Sequence, residues 1–244
     1  MQKIIYKESP SPHVVIENFL SVAAARECLV EAQELEPVYK EASVSSEEIY
    51  EDDCDECLAG RNTSRKGIRQ NKVVYLDSYY KEDGRNRFQS KTLQHLTAAL
   101  LKPYFQKEFD SFPHLFPILA QTTHMETILS SYGKCDFYGW HTDTIPTYPA
   151  SRLITCVLHF NTEPQQYEGG ELILTGDSLQ DQLPYSPVHN TAIFFQSNKT
   201  VHAVAETEHN GEFKDSRFSI NLWLGFSQKK DGDVTEFNDS YKYR

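Results

Sequence analysis

Apolar positions change period along this chain. From Val22 to about Glu36 they recur at helical spacing, with Ala24, Cys28, Ala32 and Leu35 on one face. Ser21 is a fitting helix N-cap and Pro37 a fitting stop. Upstream, Pro12 to Leu20 reads as a short strand and a turn. A second amphipathic helix is predicted from Thr92 to Phe109, with Leu93, Leu96, Leu100, Tyr104 and Phe105 near helical spacing. From Thr123 onward the period drops to that of strands. The predicted segments are 125–132, 137–141, 153–161, 171–175, 191–196 and 217–226, separated by Pro, Gly, Asn and Asp. Val73–Leu76 reads as one further strand.

Between these regular segments the pattern fails. Residues 41 to 72 carry an acidic run from Glu47 to Glu56, then a basic stretch of Arg61, Arg65, Lys66, Arg69 and Lys72. Neither has apolar periodicity, so a mobile, solvated loop is expected. After Gln228 the chain is charged and polar. The layout suggests one domain over 1–244. Residues 1–122 supply N-terminal helices, strands and the loop, 123–228 a β core, and 229–244 a polar tail. The fold class expected is mainly β with flanking N-terminal helices (α+β), in a barrel or sandwich.

Composition narrows the function. The 244 residues carry a net charge of −11, which repels phosphate backbones, so nucleic-acid binding is not expected. Five cysteines, an odd and sparse set, suit a reducing compartment. No apolar window approaches a membrane span. These features predict a cytoplasmic chain with no membrane association. Cys54 and Cys57 have the spacing of half a zinc site, but no second pair accompanies them, so an incidental loop pair is the simpler reading.

The chemistry lies in the β region. His141-Thr142-Asp143 is a His-x-Asp at a predicted strand end, and side chains at i and i+2 of a strand share a face. His202 is the best candidate for a third ligand. Two histidines and one carboxylate form the facial triad of non-heme iron(II) oxygenases, which leaves positions open for cosubstrate and dioxygen. Arg217 follows in an apolar strand, where an unpaired charge is costly and a resident anion would relieve it. A guanidinium grips a carboxylate through paired hydrogen bonds, and Ser219 two residues on faces the same side. For Ser219 and His159, a ligand contact and simple core packing are equally good readings. Packing is the better reading for Tyr132, and Tyr138 is a further candidate for a pocket contact. Trp140 should point away from the ligands into the core. His124, His189 and His209 read as structural or exposed.

The ordered set resembles a known family. Ser131-Tyr132-Gly133, Phe137 to Asp143, Leu153 to Asn161, Glu168-Gly169-Gly170-Glu171-Leu172, Asn190 to Phe195, Val201-His202-Ala203-Val204 and Arg217 to Trp223 are similar in order and spacing to one superfamily. It is that of the Fe(II)/2-oxoglutarate-dependent oxygenases, in the prolyl 4-hydroxylase-like branch. His13 to Leu20 also resembles that branch's entry strand. The resemblance implies a double-stranded β-helix (jelly-roll) and a metal site of His141, Asp143 and His202. It further implies Arg217 as the 2-oxoglutarate anchor, with Ser219, Tyr132 and His159 as helpers. The implied cofactors are Fe(2+), 2-oxoglutarate and dioxygen, with ascorbate as an accessory. The implied reaction is hydroxylation of an aliphatic C–H bond, coupled to decarboxylation of 2-oxoglutarate to succinate and CO2. Its substrate would be a prolyl residue, a peptide or a free amino acid. Asp143 favours hydroxylation, since related halogenases lack that carboxylate. One position departs: His159 stands where relatives often carry a tyrosine. A non-catalytic jelly-roll that binds a metal or small molecule is the alternative from another class.

Overall fold

The structure is a computed structural model describing residues 2–42, 68–84, 89–101, 122, 124–145, 151–176 and 178–226. The acidic run, Arg61, Arg65, Lys66, the Cys54/Cys57 pair, Tyr104, Phe105 and the polar tail lie outside the described residues.

The chain begins with β1 (Lys3–Lys7) and β2 (His13–Glu17), followed by α1 (Val22–Glu34). Next come β3 (Lys40–Glu41), β4 (Arg69–Gln70), β5 (Lys72–Tyr75), α2 (Leu76–Glu82) and α3 (Lys91–Leu100). The β region comprises β6 (His124–Tyr132), β7 (Phe137–His141), β8 (Ile154–Phe160), β9 (Tyr167–Gly169) and β10 (Leu172–Thr175). It continues with β11 (Gln182–Tyr185), β12 (Thr191–Gln196), β13 (Val201–Val204), β14 (Thr207–His209) and β15 (Arg217–Gly225).

Eight strands form one antiparallel sheet in the order β1-β2-β12-β8-β15-β6-β5-β3. Five form a second, β11-β10-β13-β7-β4, and β14 pairs with β9. The strands are antiparallel and the two sheets face each other as in a jelly-roll, with no continuous ladder closing them. Strands upstream of residue 123 complete the larger sheet: β2 pairs with β12, and β5 with β6.

Strict alternation gives the larger sheet two unlike faces. On β15, Phe218, Ile220, Leu222 and Leu224 pack outward with Leu158, Phe160, Phe194 and the helices. Arg217, Ser219, Asn221 and Trp223 face inward. There Val15, Tyr132, Val157, Ile193 and Phe195 meet Tyr138, Leu172, Leu174 and Val204 of the smaller sheet.

The helices are fixed by local chemistry. Ser21 Oγ accepts from Ala24 N at 3.2 Å, capping α1, and Ala24, Cys28 and Ala32 bury its inner stripe. Glu31, on that stripe, accepts from Thr92 N at 2.7 Å and from the Tyr80 hydroxyl. A carboxylate thus sits at the N-terminus of α3, where the exposed amides favour negative charge, and ties α1, α2 and α3 together. Residues 76–82 fold as α2, which the sequence pattern had not distinguished from the end of a strand.

Candidate metal centre and anion pocket

The smaller sheet positions the first cluster. Antiparallel pairing sets His202 of β13 directly opposite His141 of β7. Beyond that pair the register slips: Val204 pairs with Tyr138, so two steps on β13 match three on β7. This is a β-bulge, and it turns Tyr138 and His141, three residues apart, onto one side. Their rings stack at 3.6 Å between centroids. Gly139 lies in the bulge, its N–H donating to Ile68 O at 2.7 Å. Trp140 is only half-buried and takes no part in the core, contrary to the expectation from period two, because the bulge breaks that period.

Asp143 lies past the strand end, so i/i+2 alternation is not what places it. Its N–H donates to Ser197 O at 3.1 Å, and its Oδ2 accepts from Thr155 Oγ1 at 2.8 Å. The carboxylate comes to 3.6 Å from His141 Nε2 and 3.4 Å from His202 Nε2. The three side chains are buried, and their ligand atoms lie within 4.8 Å of one another.

The tautomers follow from the hydrogen bonds. His141 Nδ1 lies 2.8 Å from Gly139 O, and His202 Nδ1 lies 3.1 Å from Thr200 O. A carbonyl only accepts, so each Nδ1 carries a proton and each ring turns its Nε2 toward Asp143. Burial, with His202 alongside, pushes the His141 pKa down to about 4. Burial would raise the Asp143 carboxyl, but the two histidines outweigh it and hold it well below the usual carboxylate range. The cluster therefore turns two ring nitrogens and a carboxylate toward one point in a dry site. A cation is what such a set lacks, and two His and one carboxylate on one side fit a facially bound Fe(2+).

The larger sheet positions the second cluster. Arg217 is fully buried, its guanidinium 4.6 Å from the centre of the Tyr132 ring. Its Nε donates to Gly170 O at 2.6 Å and its Nη1 to Ser219 Oγ at 3.2 Å. Nη2 stands 3.4 Å from His159 Nδ1, which places Ser219 and His159 at the guanidinium. Burial lowers the Arg217 pKa; for His159, burial and the Arg217 charge together hold the ring neutral. With Nδ1 accepting, His159 carries its proton on Nε2, which is buried without a partner among the described residues. The Tyr167 hydroxyl and Thr207 Oγ1 are likewise buried and unpartnered. Thr207 Oγ1 and the Arg217 stem both border Gly170, and Tyr167 is close enough for the Arg217 charge to lower its pKa, although burial raises it more, to about 12. No carboxylate lies within ion-pair distance of Arg217 among the described residues. A buried cation with spare donors is the complement of a carboxylate.

Sequence reasoning missed Tyr167 and Thr207, which lie on the three-residue strands β9 and β14, too short to show a period. It also missed Thr155, the hydroxyl that orients Asp143. His189 accepts from Asn161 N at 3.3 Å and sits edge-on to Phe160, in a packing role.

Residues 127–225 match the family model of the 2OG-Fe(II) oxygenase superfamily. A PKHD-type hydroxylase of uncharacterized function from Synechocystis sp. is 30% identical over 112 residues, covering 43% of this chain and 37% of that protein. The match thus spans less than two fifths of that relative's length. Among solved structures, a Trichoplax adhaerens prolyl hydroxylase in complex with a hypoxia-inducible-factor peptide superposes with a TM-score of 0.58 at 19% identity, covering 87% of this chain and 83% of that one. A Pseudomonas putida prolyl-4-hydroxylase superposes equally well, with a TM-score of 0.58 at 16% identity, covering 88% and 92%. At these identities the two structures speak for the fold. No described helix is long and apolar enough to cross a membrane.

Proposed function

We propose that this chain, whose residues 127–225 match the family model of the 2OG-Fe(II) oxygenase superfamily, is an iron(II)- and 2-oxoglutarate-dependent dioxygenase that hydroxylates an aliphatic C–H bond. One observation carries the reading: the ligand atoms of His141, Asp143 and His202 converge, while the inward face of the neighbouring sheet holds a buried arginine with no counter-ion among the described residues. His141 Nε2, His202 Nε2 and an Asp143 oxygen would hold Fe(2+). Arg217 would bind the distal carboxylate of 2-oxoglutarate, with Ser219, His159, Tyr167 and Thr207 able to donate around it. Tyr132 provides the aromatic face under the guanidinium. Bound iron supplies dioxygen activation, with 2-oxoglutarate oxidised to succinate and CO2.

The protein's own residues prepare this chemistry. The backbone carbonyls of Gly139 and Thr200 hold both imidazoles in the ligating tautomer, so metal binding needs no proton rearrangement on either ring. Thr155, itself bonded to Ser197 Oγ at 2.9 Å, fixes the Asp143 carboxylate. The dry surroundings of Arg217 strengthen its grip on an anion. A prolyl residue in a peptide, the substrate suggested by the relatives' names, is one aliphatic substrate this reading admits.

The test is spectroscopic. Metal-free protein mixed anaerobically with Fe(2+) and 2-oxoglutarate should develop a weak visible charge-transfer band, absent in His141→Ala. In air the wild type should form succinate. A folded protein that binds metal and shows no band would sink the reading and leave a non-catalytic binding module.

A further inference from the structure

A cleft opens beside Asp143, bordered by Arg69, Tyr75, Arg152, Asn221 and Trp223. Its two arginines are not equivalent. Arg152 is neutralised: its Nε and Nη2 grip both oxygens of Glu126, at 2.9 and 2.6 Å, and its guanidinium lies 3.8 Å above the Trp223 ring. That pair is a wall of the cleft, planar and without net charge.

Arg69 is different. Its Nε donates to Asn71 Oδ1 at 2.7 Å, and its guanidinium lies 4.3 Å from the centre of the Tyr138 ring. Tyr138 in turn stacks on His141. The guanidinium is therefore held in a fixed plane, layered through one phenol onto the metal-facing histidine. No carboxylate pairs with it among the described residues. Asn71 and Tyr138 fix where it stands but leave its charge uncompensated, and its terminal N–H groups form the fork that grips a carboxylate in two places. Asn221 adds an amide to the same cleft, on the inward row of β15 that also carries Arg217 and Ser219. Trp223, Tyr75 and Ile128 give the cleft its apolar wall, suited to an aliphatic body.

We propose that Arg69 anchors a carboxylate of the substrate, so that the enzyme's substrate class is an aliphatic acid whose carbon chain lies along Trp223 toward Asp143. The inference rests on the oxygenase reading above for the reaction, but not for the binding. Arg69 is distinct from Arg217, which does not border this cleft. The acid could be a free molecule, such as an amino acid, or the side chain of a glutamyl or aspartyl residue. The shared chemistry is the carboxylate next to an sp3 chain.

The test pairs acids with their amides. Metal-free protein is titrated with a panel of free amino acids and aliphatic monocarboxylates, each beside its primary amide, and with acetyl-glutamyl-amide beside acetyl-glutaminyl-amide. Tryptophan fluorescence reports binding, since Trp223 borders the cleft. Acids should bind about tenfold or more tightly than the matching amides, the size of one charged hydrogen-bonded contact. Preference confined to the free acids identifies a small-molecule substrate; preference shared by the glutamyl peptide identifies an acidic side chain. Arg69→Gln should bring acids down to the amide level, and Arg69→Lys should fall between. The wild-type comparison needs no variant to fold. Acids binding no better than amides, no acid of the panel binding, or an acid preference that survives in Arg69→Gln would each overturn the assignment. The oxygenase reading is judged separately, by the charge-transfer band in wild-type protein without any substrate. A band without acid preference leaves the oxygenase standing and removes Arg69 from it.

Discussion

The two faces of the eight-stranded sheet are made by the same strands and do opposite work. On its outer face β15 offers Phe218, Ile220, Leu222 and Leu224, all covered by apolar neighbours. One residue away each time, its inner face offers Arg217, Ser219, Asn221 and Trp223, all polar or polar-tipped. β8 repeats the contrast, with Cys156, Leu158 and Phe160 outward and Thr155, Val157 and His159 inward. The outer face gains stability from burial. The inner face gives some of it up, since a lone buried guanidinium and orphaned donors cost free energy until a ligand arrives. Stability and function are thus interleaved at every second residue, and substitutions on the two faces should separate them.

The largest effect is expected at the metal cluster facing that inner side. Asp143→Ala should sharply weaken Fe(2+) retention, read by metal analysis after gel filtration, with the protein still folded. Phe194→Ala, on the outer face, should lower unfolding stability by about 3–5 kcal/mol in a denaturant titration. The protein that stays folded should keep its charge-transfer band. Loss of the band at equal folded protein would break the separation of faces. Arg217→Met should do the reverse. It should weaken 2-oxoglutarate binding by about a hundredfold, as expected for losing a bidentate charged contact. Stability of the ligand-free protein should stay level or rise by about 1–4 kcal/mol, as when buried charges are replaced by apolar groups.

Acid should weaken the metal-free protein. His141 has a folded pKa of about 4, below the ordinary imidazole value near 6.5. Its contribution is therefore fully present above about pH 6.5 and is lost as pH falls toward about 4. The melting temperature should drop across that window, and His141→Phe should flatten the slope. Smallest of all, Tyr167→Phe removes a hydroxyl that has no partner among the described residues. Its stability should change by less than about 0.5 kcal/mol, while 2-oxoglutarate binding weakens several-fold if that hydroxyl donates to the ligand.

The contrast between faces also explains what could be read in advance. Long strands were legible: 125–132, 191–196 and 217–226 fall within a residue or so of β6, β12 and β15. So was α1, whose cap and stripe are local. β1, β3, β4, β9, β11, β13 and β14 were not foreseen, β4 falling in the stretch read as a loop, because strands of two to five residues here exist by pairing and not by their own pattern. The same limit hid Tyr167 and Thr207 from the list of candidates around Arg217. His141, Asp143 and His202 were legible as residues, but their arrangement was not. Alternation accounts for neither the β7 bulge nor the backbone bond that carries Asp143 past the strand end. The Thr92–Phe109 helix appears as α3 over Lys91–Leu100 in the described residues.

One small feature bears on selectivity. Gly170 has φ +70°, and a Cβ there would fall 2.6 Å from Arg217 Cδ. The arginine stem passes through a gap that only a hydrogen atom leaves open. A long side chain that would otherwise sample many rotamers is thereby locked during folding, so closing on a ligand restricts it no further. A guanidinium that cannot retreat, set against histidines that cannot turn, makes the protein a caliper. Diacids one methylene too short or too long for its opening should bind poorly, whatever their charge.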